Sequence, residues 1–467
     1  MRHSSLVGCD FVETQFPFFR PHSDSFKKLY IDSMYAPLVE CDKKMLKKLV
    51  VGLVTLGLQG VPSGAENLND SFSVPAIDLN APAIEQVGSY TNRIKENLKK
   101  ITLPPGFEIS LYAIVPGARH MTVGPSTNRL FVGTWNKHVW SVTHHQKGDM
   151  TAEVRAFAPS LEFRIPNGVC FHQNGDLILV EHNRVLKFSS AESVNQDSIV
   201  TVTEIVPRGQ LIPPVHESNG HGARTCRVGK DNKLYITLGQ PYNVQPANKI
   251  EEFKQLGIGG IIRMNLDGSH REVYATGLRN SVGQDFNPKD GTLWFTDNQT
   301  DHLGNDNPPG ELNRITKPGQ DFGYPYWGGR FKVAGTHVAL DLQNLQEPQN
   351  AVFPEIEFPA HQAQLGMIFY TGKMFPPKYR NGIFVASRGS WNRNPPSGAL
   401  INFVPIKANG RAGKSEVFAE GWLNKDTGNY MGRPVDVAVL KDGSLLVSDD
   451  YVGAIYRITY SKSLVFK

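Results

Sequence analysis

Short apolar runs separated by polar loops recur along the chain. The clearest are Leu130-Phe131-Val132-Gly133, Leu177-Ile178-Leu179-Val180, Leu234-Tyr235-Ile236-Thr237, Leu293-Trp294-Phe295-Thr296, Ile383-Phe384-Val385-Ala386 and Leu445-Leu446-Val447-Ser448. Runs of this length, bounded by Gly, Asp and Asn, predict β-strands rather than helices. Asn174-Gly175, Asp290-Gly291 and Asp442-Gly443 precede three of the runs and predict tight turns from an earlier strand. Third strands are expected at Val139–Val142, Val185–Phe188, Ile261–Met264 and Ile455–Ile458.

A polar lead-in motif stands ahead of each unit. The motifs are Gly117-Ala118-Arg119-His120, Pro166-Asn167-Gly168, His221-Gly222-Ala223-Arg224, Leu278-Arg279-Asn280-Ser281, Gln364-Leu365-Gly366-Met367 and Gly432-Arg433-Pro434-Val435. They recur about every 50 to 85 residues, the extra length being inserted loops. Six antiparallel units of this kind predict an all-β fold, a six-bladed β-propeller over residues 105–462. Residues 66–104 predict an extended N-terminal arm with one short helix near Asn92–Lys100, ahead of Pro104-Pro105.

The amino terminus follows other rules. Met45-Leu46-Lys47-Lys48 is a short basic stretch, Leu49–Leu58 is uncharged and apolar, and Ser63-Gly64-Ala65 supplies small residues for cleavage. This is the pattern of a signal peptide over 45–65, with an apolar run too short to span a bilayer. Residues 1–44 then read as an upstream segment ahead of a true start at Met45, and a periplasmic or secreted location is expected. Cys9 and Cys41 fall upstream. Cys170 and Cys226 remain and are expected as separate buried thiols, although export would permit a bridge.

Composition narrows the function. With 40% hydrophobic and 20% charged residues among 467, the chain is neither disordered nor a multi-span membrane protein. The 44 glycines and 31 prolines fit a turn-rich fold. A net charge of +5 is too small to predict nucleic acid as a partner. Zinc-type Cys/His spacing, a Gly-rich phosphate loop and a G-x-S-x-G elbow do not occur.

In a propeller the lead-in loops lie at one mouth of the central channel, so their polar residues should form a ring: Arg119 and His120, Asn167, His221, Arg279 with Asn280, Gln364 and Arg433. Such a ring suits an anionic, oxygen-rich ligand, although each member alone could equally cap a turn or bond a neighbouring blade. His221 can take a proton from a hydroxyl. Arg279 beside Asn280 suits a carboxylate or quinone oxygen, and Arg388 and Arg433 can add positive charge. The acidic loop Asp297–Asn307 offers dense oxygen ligands suited to Ca²⁺, though without EF-hand spacing. Tyr324, Tyr326 and Trp327 are either stacking residues or structural. Specificity is expected in the inserted loops 192–215, 240–258 and 330–362.

Several segments together resemble the soluble quinoprotein glucose/sorbosone dehydrogenase family, in its sorbosone dehydrogenase-like branch. They are HGARTCRVGKDNKLYITLG (221–239), GLRNSVGQDFNPKDGTLWFTDN (277–298), PPGELNRITKPGQDFGYPYWGG (308–329), GMIFYTGKMFP (366–376), RGSWNR (388–393) and GRPVDVAVLKDGSLLVSDD (432–450). The resemblance implies a six-bladed propeller that binds pyrroloquinoline quinone (PQQ) with Ca²⁺ and oxidises an aldose or related sugar. Electrons would pass to an external acceptor, a quinone or cytochrome. It further implies His221 as base, Arg279 and Asn280 at the quinone oxygens, Arg433 and Arg388 as cofactor-binding residues, and main-chain oxygens near Gln299 and Thr300 as metal ligands. Three positions depart from the pattern. Val435 stands where a second arginine is usual, Arg388 where His is frequent, and Pro241–Gln245 where a Cys-Asn-x-Cys is frequent. The competing readings are a lactonase-like metal-dependent hydrolase and a non-catalytic binding propeller.

Overall fold

Met121–Val123, Gly168–Phe171, Cys226–Val228, Gly283–Phe286, Gln364–Phe369 and Pro434–Val439 each begin a separate sheet, antiparallel but for one short parallel pair at the edge of the third, in a computed structural model, which describes residues 71–78, 80–144, 152–194 and 198–462. Each of these inner strands packs beside the next, and the sixth packs beside the first. The sheets therefore close into a six-bladed β-propeller, numbered here as blades one to six in that order. The signal-like segment 45–65 and residues 1–44 lie outside the described residues. No helix among the described residues is long and apolar enough to cross a membrane.

The apolar runs are the second strands of the blades. Leu130–Val132, Leu177–Val180, Leu293–Asp297, Ile383–Ser387 and Leu445–Asp449 are buried at every position. A strand covered on both faces by neighbouring blades needs an unbroken apolar run, not alternation. Outer strands do alternate: Ile199–Val206 exposes Ile199 and Thr201 and buries Val200 and Val202. Gly175, Gly291 and Gly443 take φ of 89°, 72° and 87° in the turns between first and second strands. Around Gly291 a side chain would meet nothing within 4 Å, so backbone conformation, not crowding, selects glycine there.

The arm is sewn to the propeller. Phe107–Ile114 supplies the outer strand of blade six, pairing from Phe107↔Tyr460 to Ile114↔Ala454. Ser71–Pro75 adds a fifth strand to blade two. The helix between them runs Ser89–Leu98, three residues earlier than expected at its start, and buries Thr91, Ile94 and Leu98.

One expectation is corrected. Cys170 and Cys226 form a disulfide, with Cα atoms 5.8 Å apart. They lie on the inner strands of blades two and three, which the ring closure makes neighbours. The bond closes a loop of 56 residues between adjacent blades. Replacing both cysteines with alanine is expected to cost about 2–4 kcal/mol, read as a lower denaturant midpoint. An unchanged midpoint would show that the seam is held by packing alone.

Candidate active site

All six lead-in loops reach the channel from the same end, because each feeds the start of an inner strand. Arg119, His221, Arg279, Asn280, Gln364 and Arg388 line one cavity of about 490 Å³ at this mouth, and Gln299 joins them. That volume is in the range for small-molecule sites. The floor is apolar at Val282 and Leu365, which form one buried cluster with Ala223 and Val435. Val435 fills space in that floor, where an arginine would have to bury its charge.

His221 is oriented by the backbone. Its Nδ1 lies 2.5 Å from the Gln240 carbonyl oxygen. A carbonyl only accepts, so Nδ1 carries the hydrogen and Nε2 keeps its lone pair. Burial, aided by the Arg279 charge, lowers its pKa to about 3 against the opposing pull of that hydrogen bond. His221 is thus neutral across the physiological range. Gly239 makes this placement possible: a Cβ there would stand 2.8 Å from the His221 carbonyl oxygen and 2.6 Å from Asn280 Oδ1.

Arg279 is buried and fully engaged. It donates to Asn243 O (2.8 Å), Asn243 Oδ1 (2.9 Å), Asp301 Oδ2 (3.0 Å) and Asn298 O (3.3 Å). Its loop is held by Asp297, which accepts from the backbone N–H of Arg279 and of Asn280 (2.9 Å each), from Ser281 Oγ (2.9 Å) and from Gln299 Nε2 (2.9 Å). Burial raises Asp297 to about 6 despite these donors.

The opposite wall is an ion cluster. Asp450 accepts from Arg119 Nη1 (2.5 Å) and from Arg388 Nε (3.0 Å). Burial pushes its carboxyl up, but Arg388 and Arg119 outweigh this and hold it below its usual value. Arg433 does not line the cavity. Its Nε donates to the Arg388 carbonyl (3.1 Å) and its Nη2 to those of Gly389 and Ser390, so it holds the 388–390 segment in place. Gln299 is on the cavity wall; Thr300 is buried behind it. Asn167 bridges blades by donating to Arg224 O (2.7 Å).

Several further expectations change. His120 is not at the mouth: it is buried within the channel beside Arg227 (Nη1 to Nε2, 3.2 Å). Of the two readings open for Tyr324, Tyr326 and Trp327, the contacts fit the structural one: Tyr324 donates to Asn243 O (2.8 Å), and the other two pack in a separate apolar cluster. Of the loops expected to set specificity, only 330–362 reaches the cavity, through His361; most of the outer wall comes from 298–310 and 388–392.

Sequence reasoning missed the carboxylates that aim the lead-in loops. Asp297 and Asp449 each end a second strand and accept a lead-in backbone N–H, those of Arg279 and Arg433 (2.9 Å each), and Glu181, directly after a second strand, accepts that of Arg164 (2.7 Å), two residues ahead of the blade-two motif. The signal was present as an acid directly after an apolar run, in LILVE, LWFTD and LLVSD.

Deeper in the channel, Asp436 accepts from the Met121 N–H (2.7 Å), while its Oδ1 has no hydrogen-bond partner among the described residues. Burial raises Asp436 to about 7. A buried acid with a raised pKa holds a proton that the unfolded chain has already lost. Its contribution to stability therefore falls as pH rises from about 4 to about 7 and stays low above that. Asp436→Asn is expected to gain in Tm relative to wild type over that window, and a constant Tm difference would contradict the assignment.

The site tests whether PQQ and Ca²⁺ fit. Among the described residues, Asn280 Oδ1, Gln299 Oε1, Gln364 Oε1 and Asn392 Oδ1 are buried without a hydrogen-bond partner, and all four residues line this cavity. The amide oxygens of Asn280, Gln299 and Gln364 suit a hard cation that takes neutral oxygen ligands. No cluster of three or more His, Cys, Asp or Glu groups forms among the described residues, so a metal here would rest on amide and main-chain oxygens. Arg119 and Arg388 supply positive charge for ligand carboxylates. The donor set fits both groups.

A six-bladed propeller with a cationic, amide-lined pocket at one mouth is the class that fold and site define. The chain belongs to the TrAA12-like family, whose model matches residues 102–461. A relative from Borreliella burgdorferi, described as an uncharacterized protein, is 31% identical over 385 residues, covering 80% of this chain and 95% of that one. Two solved structures share the fold. The calcium structure of the Trichoderma reesei carbohydrate-active enzyme of family AA12 has a TM-score of 0.62 at 20% identity, over 78% of this chain and 97% of that one. The holo PQQ domain of pyranose dehydrogenase from Coprinopsis cinerea has a TM-score of 0.60 at 20% identity, over 77% and 97%. These matches support the quinoprotein resemblance and do not single out its sorbosone-like branch.

Proposed function

We propose that the chain is a PQQ- and Ca²⁺-dependent dehydrogenase that oxidises an aldose or related sugar and passes electrons to an external quinone or cytochrome. The observation that carries this reading is the His221 imidazole, neutral and locked through Nδ1 on Gln240 O, on the wall of a cavity it shares with Arg279. Family membership and the cofactor and ion named for the two structural neighbours support it.

Within this reading, His221 Nε2 accepts the proton of a substrate hydroxyl. Arg279, fixed by its four acceptors, presents a preorganised positive charge where negative charge develops. Arg119 and Arg388 would hold carboxylates of the cofactor, and Asn280 and Gln299 would offer amide oxygens to the metal. When bound, PQQ supplies a two-electron acceptor for the substrate hydride, chemistry that no side chain provides. The apolar floor limits water beneath the reacting groups.

The hydrolase alternative needs free carboxylates around a metal at the mouth. The two aspartates on the wall are already committed, Asp301 to Arg279 and Asp450 to Arg119 and Arg388. Export is part of the proposal, with the mature chain beginning near Glu66. It is supported by the Met45–Ala65 pattern and by the Cys170–Cys226 bond, which an oxidising compartment sustains.

The test is titration of PQQ into metal-stripped protein with and without Ca²⁺, followed by dye reduction across a panel of aldoses. Tight uptake and dye reduction are expected only with the metal. Equal affinity without it would remove the metal's role, and no dye reduction by the loaded protein would remove the dehydrogenase reading.

A further inference from the structure

Trp294, Trp422 and Trp140 are buried, as large aromatics in a folded chain should be, whereas Trp391 is 66% exposed. It stands on the rim of the cavity, between Arg388 and Asn392 in the loop that follows the second strand of blade five. An indole left in water forfeits the burial that stabilises the rest of its kind. It is also not a loose surface group, because its loop is pinned on both sides. Arg433 holds the carbonyls of residues 388–390, and the single Tyr430 Oη hydrogen is shared between Ser390 O (3.0 Å) and Ser397 O (3.2 Å). Asn392 Nδ2 donates to Asp301 Oδ1 (2.7 Å), and His302 meets the Trp391 ring edge-to-face at 6.0 Å. Beside this ring, Asn392 Oδ1 is buried without a hydrogen-bond partner among the described residues.

An apolar plate on a pinned loop, next to an unpaired hydrogen-bond acceptor, matches a ligand with one apolar face and a hydroxylated edge. A sugar ring has that form: axial C–H groups on a face, O–H groups around the rim. We propose that Trp391 is the platform on which the substrate sugar ring stacks, with Asn392 Oδ1 accepting one of its hydroxyls. The inference rests on the sugar-dehydrogenase reading and adds to it the residues that hold the substrate. It also gives Arg433 a positioning role, since that side chain fixes the plate through three carbonyls. Because the loop is already ordered, little conformational entropy is lost when the sugar arrives.

The test uses the full chain loaded with Ca²⁺ and PQQ, comparing wild type, Trp391→Ala and Trp391→Phe by dye reduction with glucose, galactose, xylose and arabinose. Trp391→Ala is expected to raise KM about tenfold, with kcat within about twofold and Trp391→Phe restoring most of the loss. PQQ affinity should not move. An unchanged KM in Trp391→Ala would overturn the proposal. So would a parallel fall in PQQ affinity, which would make Trp391 a cofactor contact instead. If wild type reduces no dye with any aldose, the dehydrogenase reading fails, and calorimetric titration with the same four sugars decides the platform alone. Saturable binding weakened about tenfold by Trp391→Ala then supports it, and absence of sugar binding overturns it.

Discussion

His221→Ala is expected to lower turnover at saturating PQQ and sugar by about 10²–10⁴-fold, the usual worth of a positioned general base, with PQQ affinity unchanged. The geometry separates the two effects. His221 carries no charge at working pH and contributes Nε2 to the substrate side, whereas the charged wall that would bind the cofactor is built from Arg119, Asp450 and Arg388. The pH dependence follows from the same surroundings. Burial and Arg279 hold His221 near a pKa of about 3, so the wild-type rate should not lose this base on acidification through pH 6, as an ordinary histidine would. No neighbour replaces it. His120 is buried in the channel, and His361, which does line the cavity, has Nε2 at 2.7 Å from Gly304 O. Dye-reduction kinetics beside a PQQ titration check the prediction, and full turnover in the variant would move the base elsewhere, with His361 the next residue to replace.

Asp297→Ala should cost more stability than any change on the cavity wall itself. It leaves two backbone N–H groups, the Ser281 hydroxyl and the Gln299 amide without their acceptor. Each buried orphan costs about 1–3 kcal/mol. One effect opposes this. The carboxylate is itself poorly solvated, and its charge helps raise the adjacent buried Glu311 to about 8, so its removal relieves Glu311. Four lost hydrogen bonds against one relieved repulsion leave a net loss of about 3–5 kcal/mol. A denaturant midpoint reads that loss directly. Metal and PQQ binding should fall together, because Arg279, Asn280 and Gln299 are all aimed by this one side chain. Asp297→Asn keeps an acceptor oxygen and should recover part of both. If Asp297→Ala leaves stability and binding unchanged, the lead-in loop is held by its own packing.

How much of this was legible varied with the range of the interaction. Leu177–Val180 announced a strand because every side chain in it is covered, and coverage on both faces requires an apolar residue at each position. His221, Arg279 and Asn280 were legible because a repeat places equivalent residues at one mouth, and these were polar where packing alone asks for little. Arg433 had the same signal and a different use. Its donors meet the carbonyls of 388–390, a contact between blades that no spacing in the chain encodes. Trp391 lay inside the RGSWNR segment, but nothing in the segment distinguishes an exposed indole from a buried one.

The sequence by itself determined the blades, their order and the part of the polar ring formed by Arg119, His221, Arg279, Asn280 and Gln364. These depend on hydrophobic period, turn chemistry and repetition, which act over a few residues at a time. Tertiary structure alone decided which groups became partners. Ring closure made the inner strands of blades two and three neighbours, which brought Cys170 within bonding distance of Cys226. It set Asp450 between Arg119 and Arg388, which lie in different blades, and so turned three separate charges into one wall. It buried His120 while leaving His221 on the cavity wall, although both stand in equivalent lead-in motifs. In each case the deciding quantity was a distance or a burial created by the closing of six sheets around one axis, and neither exists in the chain before it folds.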